Sequence, residues 1–469
     1  MSARKIGFLV LILAFGGIVE TAWRVRENHF SFGPEGFRVL GGRFYGPSFT
    51  FEESAERVFE VDQALEVEVR NAFGGVRIIP RKGPGVRVVL RKVVFQPTEE
   101  KARAFADRIE LRLEEEEGRL RVGTNRDDVG RGGKVGFETH LELHVPPEAV
   151  AVVRNDHGAV EASGIARVEI RTSFDAVRVE RIAGPAKIDA RHGSVEAADL
   201  GAELTLKVRH GDAEVTNVAG QADFDVQHGK LTARRTAGID AKVSFGEVVA
   251  ETVKGDLVLE ARHAGVLITD VSGRVEAETT YEDIRLERIG GDVRAKADHG
   301  AVRAEGVKGA LIAETTHDDV WLDEVEGRVE VTVGGGGVTA QGLASGGQIS
   351  ARGDDVSVDG FSGPLDVETE GGDILLAPRT PIIKTVSASA KKGEIRLEVP
   401  AGSRFDLKAE SRRGELRFDV PELDSSVSGP GAGGRATGTI GGGGARVTLT
   451  ADGDVTLVSG SAAPPAEAP

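Results

Sequence analysis

The chain has no cysteine among its 469 residues. That excludes disulfides, thiolate metal sites, a cysteine nucleophile and a lipid-modified N-terminal Cys, and it leaves the redox compartment undecided. Aromatic residues make up only 5%, and Met occurs once, at the start. Positive charge is in deficit: 59 Lys and Arg stand against 75 Asp and Glu, a formal net charge of −16. Such a chain lacks the basic face that engages phosphates, so no nucleic acid is expected as a partner. The same charge keeps copies of a soluble surface apart. Nucleophile and phosphate signatures are missing too: there is no G-x-S-x-G, no H-E-x-x-H, and no Gly-rich stretch that ends in Gly-Lys-Ser/Thr.

The N-terminus carries an export pattern. Arg4 and Lys5 precede an apolar run from Ile6 to Val19, the basic and apolar regions of a signal anchor or signal peptide over 1–23. At about 1.5 Å per residue the run spans roughly 21 Å, so a full crossing needs Ala22 and Trp23 and must tolerate Glu20. Ala14-Phe15-Gly16 would cut inside the apolar stretch and Glu20-Thr21-Ala22 is a poor cleavage site. An uncleaved anchor in the cell membrane, with the rest of the chain extracytoplasmic, is therefore the preferred reading; a cleaved, secreted or periplasmic product is the alternative. Residues 24–57, rich in Gly and Phe without a period, form a linker.

Alternation of apolar and polar residues begins near Val58, as in Leu65, Val67 and Val69 or Val86, Val88 and Leu90, and residues 58–150 are expected to be strands. One short soluble helix interrupts them, capped by Thr98 and running through Ile109, with Ala102, Phe105 and Ala106 on its apolar face. From 151 to 424 a repeat takes over. One column reads His157, Phe174, His192, His210, His228, Phe245, His263, Tyr281, His299 and His317, at steps of 17 or 18 residues. It holds seven of the ten His residues. A second column, of glycine, runs from Gly184 through Gly201 and Gly220 to Gly327. In Leu204-Thr-Leu-Lys-Val-Arg-His210, the parity of Leu204, Leu206 and Val208 is the buried one and includes His210; after a turn Ala213, Val215 and Val218 point inward. A unit this short cannot bury its apolar face alone, so the units must stack. Roughly fifteen coils about 4.8 Å apart follow. Residues 425–469 comprise a Gly-rich segment, last strands from Val447 to Leu457 and a disordered tail.

The fold class is thus all-β, a single-stranded parallel β-helix or β-solenoid with one short helix near its N-terminal end. The strand-turn-strand grammar of Leu141-Glu-Leu-His-Val-Pro-Pro147, Val208-Arg-His-Gly-Asp-Ala-Glu-Val215 and Val367-Glu-Thr-Glu-Gly-Gly-Asp-Ile374 resembles that of the DUF4097-type, adhesin-like family of bacterial exported domains of unknown function. The resemblance covers roughly residues 58 to 460. It implies a right-handed parallel β-helix without established catalytic residues. The regular His column departs from the family pattern, in which Ser or Thr is expected before the Gly.

Candidate chemistry is sparse. Phe174, Phe245 and Tyr281 share the His column and Phe neither ligates nor relays, so the common property is a flat ring and the expectation is a stacking ladder beside a turn. The Gly after His157, His192, His210, His228 and His299 is expected to supply a positive φ. His140, Glu142 and His144 share one strand face and have the right types for zinc, but no fourth ligand is visible. The run Glu114 to Glu117 is read as a solvated hairpin end. No catalytic, cofactor-binding or metal residue is assigned, and no cofactor is expected. The expected role is a non-catalytic structural or binding module of the cell envelope, partnered by an unknown envelope protein or glycan and by the membrane through its N-terminal segment. The alternatives are a polysaccharide lyase or hydrolase on a β-helix and an accessory protein of an envelope stress-sensing system.

Overall fold

The computed structural model describes residues 39–40, 43–44, 47–58, 65–83, 85–116, 118–130, 135–428 and 433–460. The apolar run Ile6–Val19, both cleavage candidates and the tail Ala463–Pro469 lie outside the described residues. Among those described, no helix is long and apolar enough to cross a membrane.

The chain is 67% strand and 3% helix, and its repeats form a β-solenoid of about 14 turns. Two short strands alternate in each coil, and like strands of successive coils pair in parallel. Leu204, Leu206 and Val208 lie beside Ala186, Ile188 and Ala190 on one side and Ala222, Phe224 and Val226 on the other. All nine are buried. Full burial stabilises a Val, Leu or Ile by roughly 1.5–3 kcal/mol, and here each one needs the coil above and the coil below to be covered.

The second strand solves a problem that its sequence poses. Val215 and Val218 are both buried, although residues three apart on a regular strand face opposite ways. Asn217, between them, has φ 62°. The same position is left-handed at Arg181, Asp199, Arg235, Thr252, Asp270, Arg288 and Glu324, with φ from 52° to 60°, and at Gly164, Gly306, Gly342 and Gly360. One left-handed residue per coil therefore turns the next side chain inward, at Ile182, Leu200, Val253, Val271, Ile289, Val307, Val325 and Leu343 alike.

The glycine column has a different cause. A Cβ on Gly309 or Gly327 would overlap the carbonyl of the glycine one coil below, Gly291 or Gly309, so these turns are glycine because they stack closely. Aspartates staple the same corners. The backbone N–H of Arg274 donates to Asp256 at 2.8 Å, that of Ala310 to Asp292 at 2.8 Å, and at the other corner that of Lys230 to Asp212 at 2.8 Å and that of Gly337 to Asp319 at 2.8 Å. The bond from the Arg274 N–H is the main reason that the Asp256 carboxyl is held below its ordinary range.

At both ends the coils leave chain order. Glu66–Phe73 pairs with Val150–His157 on one side and with Arg119–Thr124 on the other. The solenoid thus begins well before residue 151. At the far end Ala445–Ala451 and Val455–Ser459 insert between Val386–Ala390 with Ile395–Val399 and Phe405–Ser411 with Leu416–Asp419. The last strands are a full coil, and beyond it Phe405–Ser411 carries antiparallel Gly434–Ile440, which in turn carries Asp424–Ser428. Ser48–Val58 of the expected linker is also a strand.

The described residues within 39–52, 91–110 and 125–138 form one compact unit and the other described residues another. In the smaller unit the helix is Glu99–Ala106, capped by the Thr98 hydroxyl accepting from the Lys101 N–H at 3.4 Å. It ends three residues earlier than the apolar pattern suggests, because Asp107 closes it, although Ile109 is still buried. A second helix, Arg126–Gly130, is one turn long and too short to show a period in sequence.

Candidate functional site

Phe174 registers against His192 and His192 against His210, so rings that end the first strand of each coil are brought into single file. All ten members of the sequence column stack, and Phe73 joins them beside His157 at 4.4 Å. Centroids from His157 to His317 are 4.3 to 5.1 Å apart and the planes lie within 19° of parallel. That step is the spacing of neighbouring strands.

The ladder is on the surface, which corrects the parity argument. Phe174, Phe245 and Tyr281 are 42%, 52% and 53% exposed, and His210 is exposed next to an exposed Arg209. Alternation lapses because the chain leaves the strand at His210 to enter the turn at Gly211. The glycine expectation holds for Gly158, Gly193 and Gly211, with φ of 111°, 141° and 150°. It fails at Gly229 and Gly300. There a side chain is excluded by the carbonyls of Gly211 and Glu282 on the neighbouring coil. In the coils of His228, Phe245 and His263 the ring-bearing residue itself takes the positive φ, 54°, 58° and 51°.

Stacking uses ring faces and leaves ring edges to other partners. Nδ1 of His317 lies 3.1 Å from the carbonyl of Asp298, and Nδ1 of His299 lies 3.3 Å from that of Thr280. A carbonyl only accepts, so in both rings Nδ1 carries the proton. The ring nitrogens of His192, His210 and His228 have no hydrogen-bond partner among the described residues.

The remaining candidates are tied up in structure. Nδ1 of His140 accepts the Gly75 N–H at 2.9 Å, whereas Nε2 of His144 lies 2.9 Å from Glu142, which also faces Arg77 at 3.9 Å. Among the described residues no group of three His, Asp or Glu is arranged to hold a metal. Glu114, Glu115 and Glu116 lie on a strand antiparallel to Arg119–Thr124, and Glu116 pairs with Arg121 at 3.1 Å; the side chain of Glu117 lies outside the described residues.

An unanticipated charge centre sits in the first coil. Glu68, 6% exposed, accepts from Arg70 at 2.7 Å and has Arg121 at 3.5 Å and Arg154 at 3.8 Å. The Arg70 hydrogen bond, with the charges of all three guanidiniums, holds its carboxyl below the ordinary glutamate range against the effect of burial.

Residues 274–458 match the family model described as Toastrack DUF4097. That stretch is similar to a Toastrack domain. It takes in the coils from Arg274 onward and the inserted last coil, while the ladder from Phe73 to His263 belongs to coils on its N-terminal side. Comparison with curated proteins gives no match. Among solved structures, the one described as "a putative cell adhesion protein from Clostridium sporogenes ATCC 15579" aligns over 87% of this chain and 100% of its own, at 7% identity and a TM-score of 0.17.

Sequence reading missed Phe73, though the signal was there: Val67-x-Val69-x-x-x-Phe73-Gly74 repeats the grammar of Ala151-x-Val153-x-x-x-His157-Gly158. For the charge centre at Glu68 the sequence shows only the neighbouring Arg70, because Arg121 and Arg154 come from strands far from it in the chain.

Proposed function

We propose that this protein is a non-catalytic binding module of the bacterial cell envelope, held outside the membrane by its N-terminal segment and presenting the outer face of its solenoid to an envelope glycan or protein. The observation that carries the reading is the exposed ring ladder, a continuous surface row whose faces are engaged and whose edges are open at His192, His210 and His228. The Toastrack-like stretch and the inward-facing apolar columns support a scaffold role, since each coil spends its apolar residues on its neighbours and its polar ones on solvent.

Two measurements test the proposal. Protease added to intact spheroplasts should digest the segment after Trp23; cleavage only in lysed cells would refute the location. Incubation with a glycan panel should give retention without new reducing ends or unsaturated products. Turnover abolished by a single Asp or Glu substitution would make the protein an enzyme.

A further inference from the structure

The outward rows beside the ladder differ in how their charges are satisfied. In one row Asp189 registers with Lys207 and Lys207 with Asp225, an alternation that cancels. Next to the rings, Arg191 lies opposite Arg209, between the registered pairs Ala190↔Val208 and His192↔His210. Like charges in that relation are destabilising. One other such row is compensated: Arg70, Arg154 and Arg171 also register with one another, and each has Glu68 or Glu169 within 4 Å. The side chains of Arg191 and Arg209 are exposed and have neither ion pair nor hydrogen bond among the described residues. Flanking them, the rings of His192, His210 and His228 stand 4.8 and 5.1 Å apart with ring nitrogens equally unspent.

We infer that Arg191, Arg209 and the edges of His192, His210 and His228 form a binding site for an acidic polysaccharide, whose carboxylate or sulfate groups supply the missing partners. Guanidinium pairs well with planar oxyanions, and a neutral imidazole still offers one N–H donor at each ring. The donors repeat at the strand spacing along a straight row, which suits a linear polymer better than a single small anion. A nucleic acid is disfavoured because two arginines on a chain of net charge −16 give too small a basic footprint. The inference rests on the binding-module reading and names its surface and ligand class.

The test uses the full chain and four probes at low salt: oligogalacturonate, dextran sulfate, neutral dextran and polyglutamate. The parent should bind one or both acidic glycans, not neutral dextran, and more weakly as salt rises. Which of the two it prefers separates carboxylate from sulfate as the recognised group. The double variant Arg191→Gln, Arg209→Gln should lose about tenfold or more in affinity, whereas Lys308→Gln, Arg328→Gln, the same charge change elsewhere on the solenoid, should lose less than about twofold. His210→Phe, which keeps the stack and removes two ring nitrogens, should show a smaller loss than the arginine pair. An arginine double variant that binds as the parent does overturns the site. Polyglutamate bound as tightly, with the same arginine dependence, makes the ligand an acidic peptide and overturns the glycan assignment. A parent that binds no acidic polymer also refutes the site, while its retention on neutral glycan would leave the binding module standing.

Discussion

At the scale of single residues, the ladder and Glu68 show how differently two polar features are held. His210 is exposed and contributes through its faces alone, with His192 at 4.8 Å and His228 at 5.1 Å. His210→Ala removes both contacts and should lower stability by about 1 kcal/mol, the low end for two stacked pairs because the edges stay in water. His210→Phe should restore most of it. Chemical denaturation of the three proteins checks this, and equal stability of the Ala and Phe variants would show that the rings merely sit where the turns put them. Glu68 is the opposite case, a buried carboxylate among three arginines. Glu68→Gln leaves Arg70, Arg121 and Arg154 facing one another without a counter-charge and should cost roughly 2–4 kcal/mol. The folded pKa of Glu68 lies below its unfolded value, so the unfolded chain binds the proton more readily. Its contribution is complete above the ordinary glutamate range and disappears as pH falls through the lower folded value. The melting temperature of the parent should therefore drop more between pH 6 and pH 3 than that of Glu68→Gln.

At the scale of the coil, the first strand was legible in sequence and the second only in part. Alternation at Leu204, Leu206 and Val208 gives the inward face directly. The inward pair Val215 and Val218 carries no alternation, and the left-handed residue that reconciles them varies freely among Arg, Asp, Asn, Thr, Glu and Gly. The ring column was visible as a column, but its exposure was not, because strand parity stops one residue short of the turn. That inward column also exposes a local fault. Where the other coils place Ile182, Leu200, Val253 or Ile289, the coil of Arg235 places Thr236, 1% exposed and with its hydroxyl unpaired. Thr236→Val keeps the shape and removes a buried, unsatisfied polar atom, so it should stabilise by about 1–3 kcal/mol. Thr236→Ser, which keeps the hydroxyl and loses a methyl, should destabilise. If both substitutions lower the midpoint in urea, the hydroxyl has a partner and the column argument fails at this coil.

At the scale of the whole solenoid, a stack in which each coil touches only its neighbours should tolerate loss of a whole coil far better than loss of part of one. Residues 275–292 are one complete coil. Val275 registers with Val293, Ala277 with Ala295, Ile284 with Val302 and Ile289 with Val307. Deleting 275–292 joins Arg274 to Val293, which occupies the inward place that Val275 held. Every inward column then continues, the Asp256 carboxylate keeps the N–H of Arg274, and the ladder closes from His263 to His299 with Tyr281 gone. The expected product is folded, with a β-type circular dichroism spectrum and one cooperative melt close to the parent's. Deleting 275–283 instead removes a first strand and one turn. Ile284, built for the second strand, is then forced beside Leu257, and the coil has no ring to place between His263 and His299. That protein should aggregate or melt far below the parent. Equal tolerance of both deletions would mean that the coils are not held by register, and the reading of this chain as a stack of interchangeable two-strand units would be wrong.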